Sequence, residues 1–255
     1  MILRVLGCSG SQAPGVDPCS FLIDERTVVD IGSAASVLSL EEQCGIHDVL
    51  LSHAHLDHVR DLPFLAENIF TRIERPVRIR GTTSTLAKLR NHLLNDAIWP
   101  DFASLPTMQK ATLQYRPFET SEVLDLGPLE VVAIPVNHPG GCVAFLLQSE
   151  SGVLVYSGDT GPTDALWEEI DRREGRVAAI LVETTFPDRL HALAQVSGHL
   201  TPATLRVELG KLRLREVPIY VYHLKEATRS ETLDDLQALE DPRIRVLQPG
   251  TTIEF

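Results

Sequence analysis

The sequence predicts an α/β chain of the α+β kind: two mixed β-sheets packed together, with helices on the outer faces. Three observations predict it. Each half of the chain opens with short β-like runs and continues into helical ones, which suggests two related sheet-and-helix halves. No linker, low-complexity segment or repeat of about 20–50 residues interrupts the chain, so residues 1–255 read as one domain. Hydrophobic residues make up 44% of the 255 and the mean hydropathy is close to zero, enough to bury a sizeable core in water.

The elements follow in order. "ILRVLG" (2–7), "SFLID" (20–24) and "TVVDIG" (27–32) are apolar runs rich in β-branched residues, and the first two are separated by the Gly/Pro-rich "SGSQAPGVDP". A helix is expected over 34–44, then the strand "DVLLS" (48–52). "LPFLAENIFTRI" (62–73) has helical period, with Pro63 acceptable in a first turn. "VRIRG" (77–81) is a strand, and "TTSTLAKLRNHLLNDA" (82–97) a helix opened by threonine caps. Residues 97–117 lose periodicity and gather Trp99, Phe102 and Tyr115, as in an irregular core connection or a lid. The second half brings strands at "EVLDL" (122–126), "LEVVAIPV" (129–136), "CVAFLLQ" (142–148) and "VLVYSGD" (153–159). Helix 163–173, strand "VAAILVET" (177–184), helix 202–213, strand "PIYVYHL" (218–224), helix 230–239 and a strand near "IRVLQPG" (244–250) complete it.

Composition excludes several classes. A net charge of −12 argues against a broad nucleic-acid surface, which needs clustered Lys and Arg to displace counterions. No apolar run approaches the roughly 18–20 residues that span a bilayer. The opening "MILRVLGCSGSQAPG" has one basic residue and too short an apolar stretch for a secretory signal. Cys8, Cys19, Cys44 and Cys142 are far apart with no CxxC pair, so a reducing cytoplasm is the expected setting.

The chemistry concentrates in "SHAHLDH" (52–58), which holds three of the nine histidines at the end of a strand rather than on a polar helical face. Four further strands deliver one ionisable group each at their C-terminal edge: His138, Asp159, Glu183 and His223. Any one of these alone is more commonly a turn former or cap. Beside HxHxDH they form a constellation at the sheet edge, where ligand-binding loops sit. In an extended segment His53 and His55 point the same way and can share one ion. The chain then turns, so that Asp57 and His58 can serve a second. His138 would complete a three-histidine site, His223 would join Asp57 and His58, and the two oxygens of Asp159 can bridge. Two ions about 3.5–4 Å apart activate a bridging hydroxide and clamp a phosphoryl oxygen or a carbonyl.

These residues resemble the metallo-β-lactamase superfamily, over nearly the whole chain: "DIG" (30–32), "HAHLDH" (53–58), "NHP" (137–139), "SGDT" (157–160) and "YHLK" (222–225). The resemblance implies an αββα sandwich with a dinuclear site at its edge. DxG alone is weak, since Asp30 can simply brace a turn. A finer similarity is to class II cyclic-nucleotide phosphodiesterases, carried by "HLDHVRDLPFL", "SGDTGPTDALWEEI", "VETTFPDRL", "SGHLTPATL" and "VYHLK". Asp61 departs from that pattern, at a place that concerns loop packing more than chemistry. The resemblance implies His53, His55 and His138 on one ion, Asp57, His58 and His223 on the other, and Asp159 between. Aspartate rather than cysteine at the bridging place speaks against a β-lactamase. The donor set suits zinc first, and manganese or iron nearly as well.

His199, in "SGHLTP" before a helix, has no place left among the ligands. It is either hydrogen-bonded to backbone at the helix start or a general acid for the departing alkoxide. The related tRNA 3′-processing endonucleases use a histidine in a similar block with an acidic residue to orient it, and Glu183 is the candidate here. Thr160 and Lys225 are candidates for substrate contact, although a lone Lys after a strand is commonly solvated. Trp99 and Phe102 can stack on a base or fill the core. His47, His92 and His191 have no motif around them.

The expected function is hydrolysis of 3′,5′-cyclic nucleotides to nucleoside 5′-monophosphates, with two divalent ions and a small-molecule substrate. The same core also serves RNA 3′-processing nucleases, which need a basic arm absent here, and lactone or thioester hydrolases, which have less need of His199. A non-catalytic metal-binding module is the remaining alternative. Nothing chooses between cAMP and cGMP, and a homodimer is compatible with the sequence but not derivable from it.

Overall fold

The computed structural model describes residues 1–173 and 175–255. Strands β1 (Ile2–Gly7), β2 (Ser20–Ile23), β3 (Thr27–Ile31), β4 (Asp48–Leu50), β5 (Val77–Gly81) and β6 (Leu113–Pro117) build the first sheet. Strands β7 (Val123–Asp125), β8 (Glu130–Val136), β9 (Cys142–Gln148), β10 (Val153–Tyr156), β11 (Val177–Glu183), β12 (Ile219–Tyr222) and β13 (Ile244–Val246) build the second. The last strand, β14 (Thr252–Glu254), returns to the first sheet and pairs antiparallel with β1. The orders are β14-β1-β2-β3-β4-β5-β6 and β13-β12-β11-β10-β9-β8-β7. Each sheet runs antiparallel through its early strands and becomes parallel from β3 or β10 onward. The two halves are thus built alike.

Three apolar layers hold the sheets and helices together. Phe21, Phe145, Tyr156 and Tyr222 meet between the sheets with Leu3, Leu50 and Leu181. On the outside of the first sheet, Val28, Val49 and Ile79 pack against Leu62, Leu65 and Ile69 of one helix and Leu86 and Leu89 of another. Outside the second, Val155, Ile180 and Val221 pack against Leu166, Trp167 and Leu205. Strands β3, β4 and β10 are buried at every position because both their faces are covered, which is why they read as continuous apolar runs rather than alternating ones.

The structure differs from expectation in four places. The helix foreseen at 34–44 is two, Ala34–Val37 and Leu40–Gly45. Ser39 starts the second with a reciprocal cap, its hydroxyl accepting from the Glu42 N–H while the Glu42 carboxylate accepts from the Ser39 N–H. Residues 113–117 are not part of an irregular insertion but strand β6, an edge strand ending in Pro117, where a missing N–H costs no ladder bond. Strand β14 and the helix His191–Ser197 were not foreseen either, both being too short to show a period. Phe102 is 5% exposed, its ring packed edge-on against Phe70 at 5.5 Å, which leaves no open face for a base. Trp99 lies against the same layer, 5.5 Å from Phe64.

Asp61 has a packing role. Its carboxylate accepts from the Ser36 N–H and hydroxyl, both at 2.8 Å, and from Arg60 at 2.8 Å, tying Ala34–Val37 to the helix Leu62–Ile69. Among the described residues no helix is long and apolar enough to cross a membrane. All four cysteines are free.

Candidate metal centre

The strands β4, β8, β10, β11 and β12 end at one edge of the sandwich, and each delivers its polar residue there. His53 follows β4, His138 follows β8, Asp159 follows β10 and His223 follows β12, while Glu183 is the last residue of β11. Asp57 and His58 lie in the single turn Leu56–Val59, which starts as the extended segment ends. Donor atoms of His53, His55, His138 and Asp159 all fall within 4.8 Å of one another. Nε2 of His138 is 3.1 Å from Nδ1 of His55. On the other side, Nε2 of His223 lies 3.4 Å from Nε2 of His58 and 3.3 Å from the Asp57 carboxylate.

Asp159 stands between the two groups. One of its oxygens is 3.3 Å from His58 Nε2, and the other 3.4 Å from His223 Nε2 and 3.7 Å from His53 Nε2. The expected ligands are therefore together, three histidines on one side of Asp159 and Asp57, His58 and His223 on the other. Cys19, which sequence reasoning left aside, also brings its sulfur within 4.8 Å of His58 and His223 ring nitrogens, from the start of β2.

The backs of the rings decide where the lone pairs point. His58 donates from Nδ1 to Asp30 at 2.7 Å, and His138 from Nδ1 to the Gly198 carbonyl at 2.9 Å. With both rings neutral, each Nε2 is an acceptor aimed into the cleft, where a cation can satisfy it. His53 Nε2 and one oxygen of Asp159 are buried with no hydrogen-bond partner at all. Buried polar atoms are rarely abandoned. Two such orphans in one nitrogen- and carboxylate-lined cleft fit divalent ions.

Electrostatics divides the histidines: burial works against charge on His58, but Asp159 and Asp30 outweigh it and raise that imidazole above the usual range, whereas the other three go down. Burial pushes His53, His55 and His138 below the usual imidazole range, so their nitrogens stay unprotonated and free to ligate. Burial opposes the charge on Asp159, but His223 and His58 outweigh it and hold the carboxyl well below the usual range. Burial likewise opposes Asp57, and the His223 contact and the nearby histidines outweigh it.

Asp30 is more than a turn brace. It is fully buried with φ +51°, a conformation Asp tolerates better than most residues. Its two oxygens accept from the Ser52 N–H (2.8 Å), the Ser52 hydroxyl (2.7 Å), His58 (2.7 Å) and the Tyr156 hydroxyl (2.6 Å). Asp30→Ala would strand four buried donors, and we expect a loss of about 3–5 kcal/mol in denaturant unfolding, together with a weakened second ion. A loss below about 1 kcal/mol would show the network to be dispensable.

His199 and Glu183 meet as expected, with His199 Nδ1 2.8 Å from the Glu183 carboxylate. Burial works against charge on His199, but Glu183 outweighs it and raises the imidazole above its usual range. The ring stacks on His223 at 5.3 Å and lies 4.9 Å from His138. Thr160 is also fully buried: its N–H donates to Glu183 (3.1 Å) and its hydroxyl to the Gly161 carbonyl (2.7 Å), so it supports Glu183 rather than facing the cleft. Lys225 donates to the Gly10 carbonyl and has its ammonium 3.6 Å from Asp57. Gly10 was read as part of a turn, yet a side chain there would sit 2.8 Å from the His223 ring, so only glycine lets that loop close on the site. Thr185 was also missed, though it stands in the "ETTF" block already singled out.

Comparison with known proteins follows this geometry. A β-lactamase superfamily domain model matches residues 22–217. The chain is 27% identical over 226 residues to a 3′,5′-cyclic-nucleotide phosphodiesterase of Aliivibrio fischeri, covering 78% of this chain and 63% of that one. It is 25% identical over 288 residues to 3′,5′-cyclic-nucleotide phosphodiesterase 1 of Saccharomyces cerevisiae, covering 91% and 73%. The chain thus spans about two thirds to three quarters of these relatives' length. The crystal structure of unliganded yeast PDE1 superposes with a TM-score of 0.83 at 19% identity, covering 100% of this chain and 99% of that one. Two mixed sheets of seven strands with outer helices, the histidine and aspartate clusters at their edge and the domain match together place the chain in the metallo-β-lactamase superfamily.

Proposed function

We propose that this protein is a dinuclear metal-dependent phosphodiesterase that hydrolyses 3′,5′-cyclic nucleotides to nucleoside 5′-monophosphates. The observation that carries the reading is the His199–Glu183 pair, an acid with its orienting carboxylate 2.8 Å apart beside a complete set of metal donors. The sequence relatives named as cyclic-nucleotide phosphodiesterases support the same substrate class. His53, His55 and His138 would hold one ion, Asp57, His58 and His223 the other, and Asp159 would serve both, with zinc the first choice for this donor set and manganese or iron close behind.

When bound, such a pair of ions supplies an activated water and neutralises charge on the phosphoryl oxygens. The chain's own residues do the rest. A water that has given up one proton to solvent bonds through its oxygen to phosphorus as the bond from phosphorus to the 3′ oxygen breaks, and the 3′ oxygen leaves as an alkoxide unless protonated. His199 gives that proton from Nε2, while Glu183 holds Nδ1 and steadies the imidazolium. The ring opens into one product, a 5′-monophosphate with a free 3′ hydroxyl. Lys225, beside Asp57, is placed to meet a phosphate oxygen that enters from that side.

The test is hydrolysis of cAMP and cGMP by metal-analysed protein, with bis-p-nitrophenyl phosphate as an unselective diester. The expected result is release of 5′-monophosphate with two metals per chain. Turnover of the artificial diester alone would remove the cyclic-nucleotide assignment and keep the metal chemistry. Two metals with no diester cleaved would remove both and turn attention to lactones, thioesters and RNA ends.

A further inference from the structure

Thr185 is fully buried directly behind the site, two residues past the end of β11. Its hydroxyl oxygen is 2.9 Å from one Glu183 oxygen, 2.8 Å from His223 Nδ1 and 3.1 Å from His199 Nδ1. A hydroxyl has one proton to give and two lone pairs to accept with. The carboxylate of Glu183 can only accept, so the Thr185 proton goes there. His223 must then present its Nδ1 N–H to that oxygen, while His199 directs its Nδ1 N–H to the nearer Glu183 carboxylate that Thr185 itself donates to. That leaves His223 Nε2 bare toward His58, Asp57 and Asp159, and leaves His199 Nε2 as the nitrogen that carries the transferable proton.

We propose that the Thr185 hydroxyl is a positioning residue that fixes the proton of His223 on Nδ1, and through its bond to Glu183 steadies the carboxylate that orients His199, so that one side chain serves both a metal ligand and the general acid. The inference deepens the phosphodiesterase reading, which supplies the roles of those two histidines. Backbone contacts hold the hydroxyl in place: the Thr185 N–H donates to the Leu200 carbonyl at 3.0 Å and its carbonyl accepts from the Lys225 N–H at 3.3 Å. Those bonds join the segment after β11 to the residue following His199 and to the loop carrying His223. The other ion's ligands have different supports, Ser52 for His53 and the Gly198 carbonyl for His138. The effect of Thr185 is therefore confined to one of the two ions.

Thr185→Val keeps the shape and removes the hydroxyl, and Thr185→Ser keeps the hydroxyl. Both would be prepared as full-length, zinc-loaded protein and titrated with a chelator while bound zinc is counted. The expected result for Thr185→Val is that one zinc is lost at about 10–100-fold lower chelator concentration than in the unsubstituted protein, with the other unchanged. Thr185→Ser should hold both nearly as tightly as threonine. Two zincs held equally tightly by the valine variant would overturn the proposal. So would a serine variant as weak as valine, which would assign the effect to packing of the methyl group. Imidazole nitrogen NMR of the unsubstituted zinc-loaded protein gives an answer even where a variant does not fold: His223 should carry hydrogen on Nδ1, and a bare Nδ1 there ends the idea. None of these readouts uses a substrate. If cyclic nucleotides are not hydrolysed while the zinc and NMR results hold, the functional reading fails and the role of Thr185 stands.

Discussion

Replacing Asp159 by asparagine should lower bound metal from two ions per chain to one or fewer and reduce diester turnover by about a thousandfold. Asp159 is 1% exposed, so its charge is not there for solubility. Burying a carboxylate costs several kcal/mol unless something repays it. Here the repayment is expected from the cations that the carboxylate would share with three facing nitrogens, His58 at 3.3 Å, His223 at 3.4 Å and His53 at 3.7 Å. Asparagine has the same size and keeps one acceptor, but it carries no charge and its amide N–H points a donor into a space otherwise lined with acceptors. Loss of about 4 kcal/mol of metal-derived stabilisation of the transition state corresponds to that thousandfold drop. Metal analysis of the purified variant and turnover of bis-p-nitrophenyl phosphate make the test. A variant retaining two metals and more than a tenth of the rate would remove Asp159 as the shared ligand. The same substitution should lower thermal stability when metal is present and change it little in chelator, because an ion that binds only the folded chain stabilises it by mass action.

The site was legible in the sequence to the extent that its residues lie at the ends of apolar runs. A strand is visible as a run of β-branched residues, and its C-terminal neighbour is then placed by the chain itself. His53, His138, Asp159, Glu183 and His223 were found in that way, without knowledge of which strand lies beside which. Residues that act from behind were not, because their partners are distant in sequence. Asp30 reaches His58, 28 residues on, and Tyr156, 126 residues on. Thr185 meets His223 across 38 residues. Nothing local to either marks the contact: Asp30 lies inside a strand and Thr185 two residues past one. Gly10 is the same case: its lack of a side chain matters only because the His223 loop passes over it. The fold shows a parallel division. Strands buried on both faces declared themselves, whereas β6, with Gln, Tyr, Arg and Pro in its five positions, and the three-residue β14 carry too little apolar pattern to be seen. For Phe102 the sequence left stacking and core packing both open, and the neighbour Phe70 decides for the core.

His199→Ala should keep both metals and lose about 10²–10⁴-fold in turnover of a cyclic nucleotide, while turnover of bis-p-nitrophenyl phosphate falls far less. The contrast arises from the leaving groups. A ribose 3′ oxygen departs as a strongly basic alkoxide and needs a proton in the transition state, whereas p-nitrophenolate is stable as an anion and does not. A residue that merely supported the fold or the metals would depress both reactions alike. The pH profile carries a second signature. Glu183 raises His199 above the usual imidazole range against the effect of burial, and the protonated form is the one that acts. Turnover should therefore hold on the acid side and fall as pH rises through the His199 titration. In Glu183→Gln the raising charge is gone and burial remains, so the falling limb should move to lower pH; in His199→Ala it should vanish. A His199→Ala protein depleted of metal would sink the general-acid role, since the loss of rate would then belong to the ions. An unmoved alkaline limb in Glu183→Gln would separate Glu183 from the acid and leave it as a buried anchor for Thr160 and Thr185.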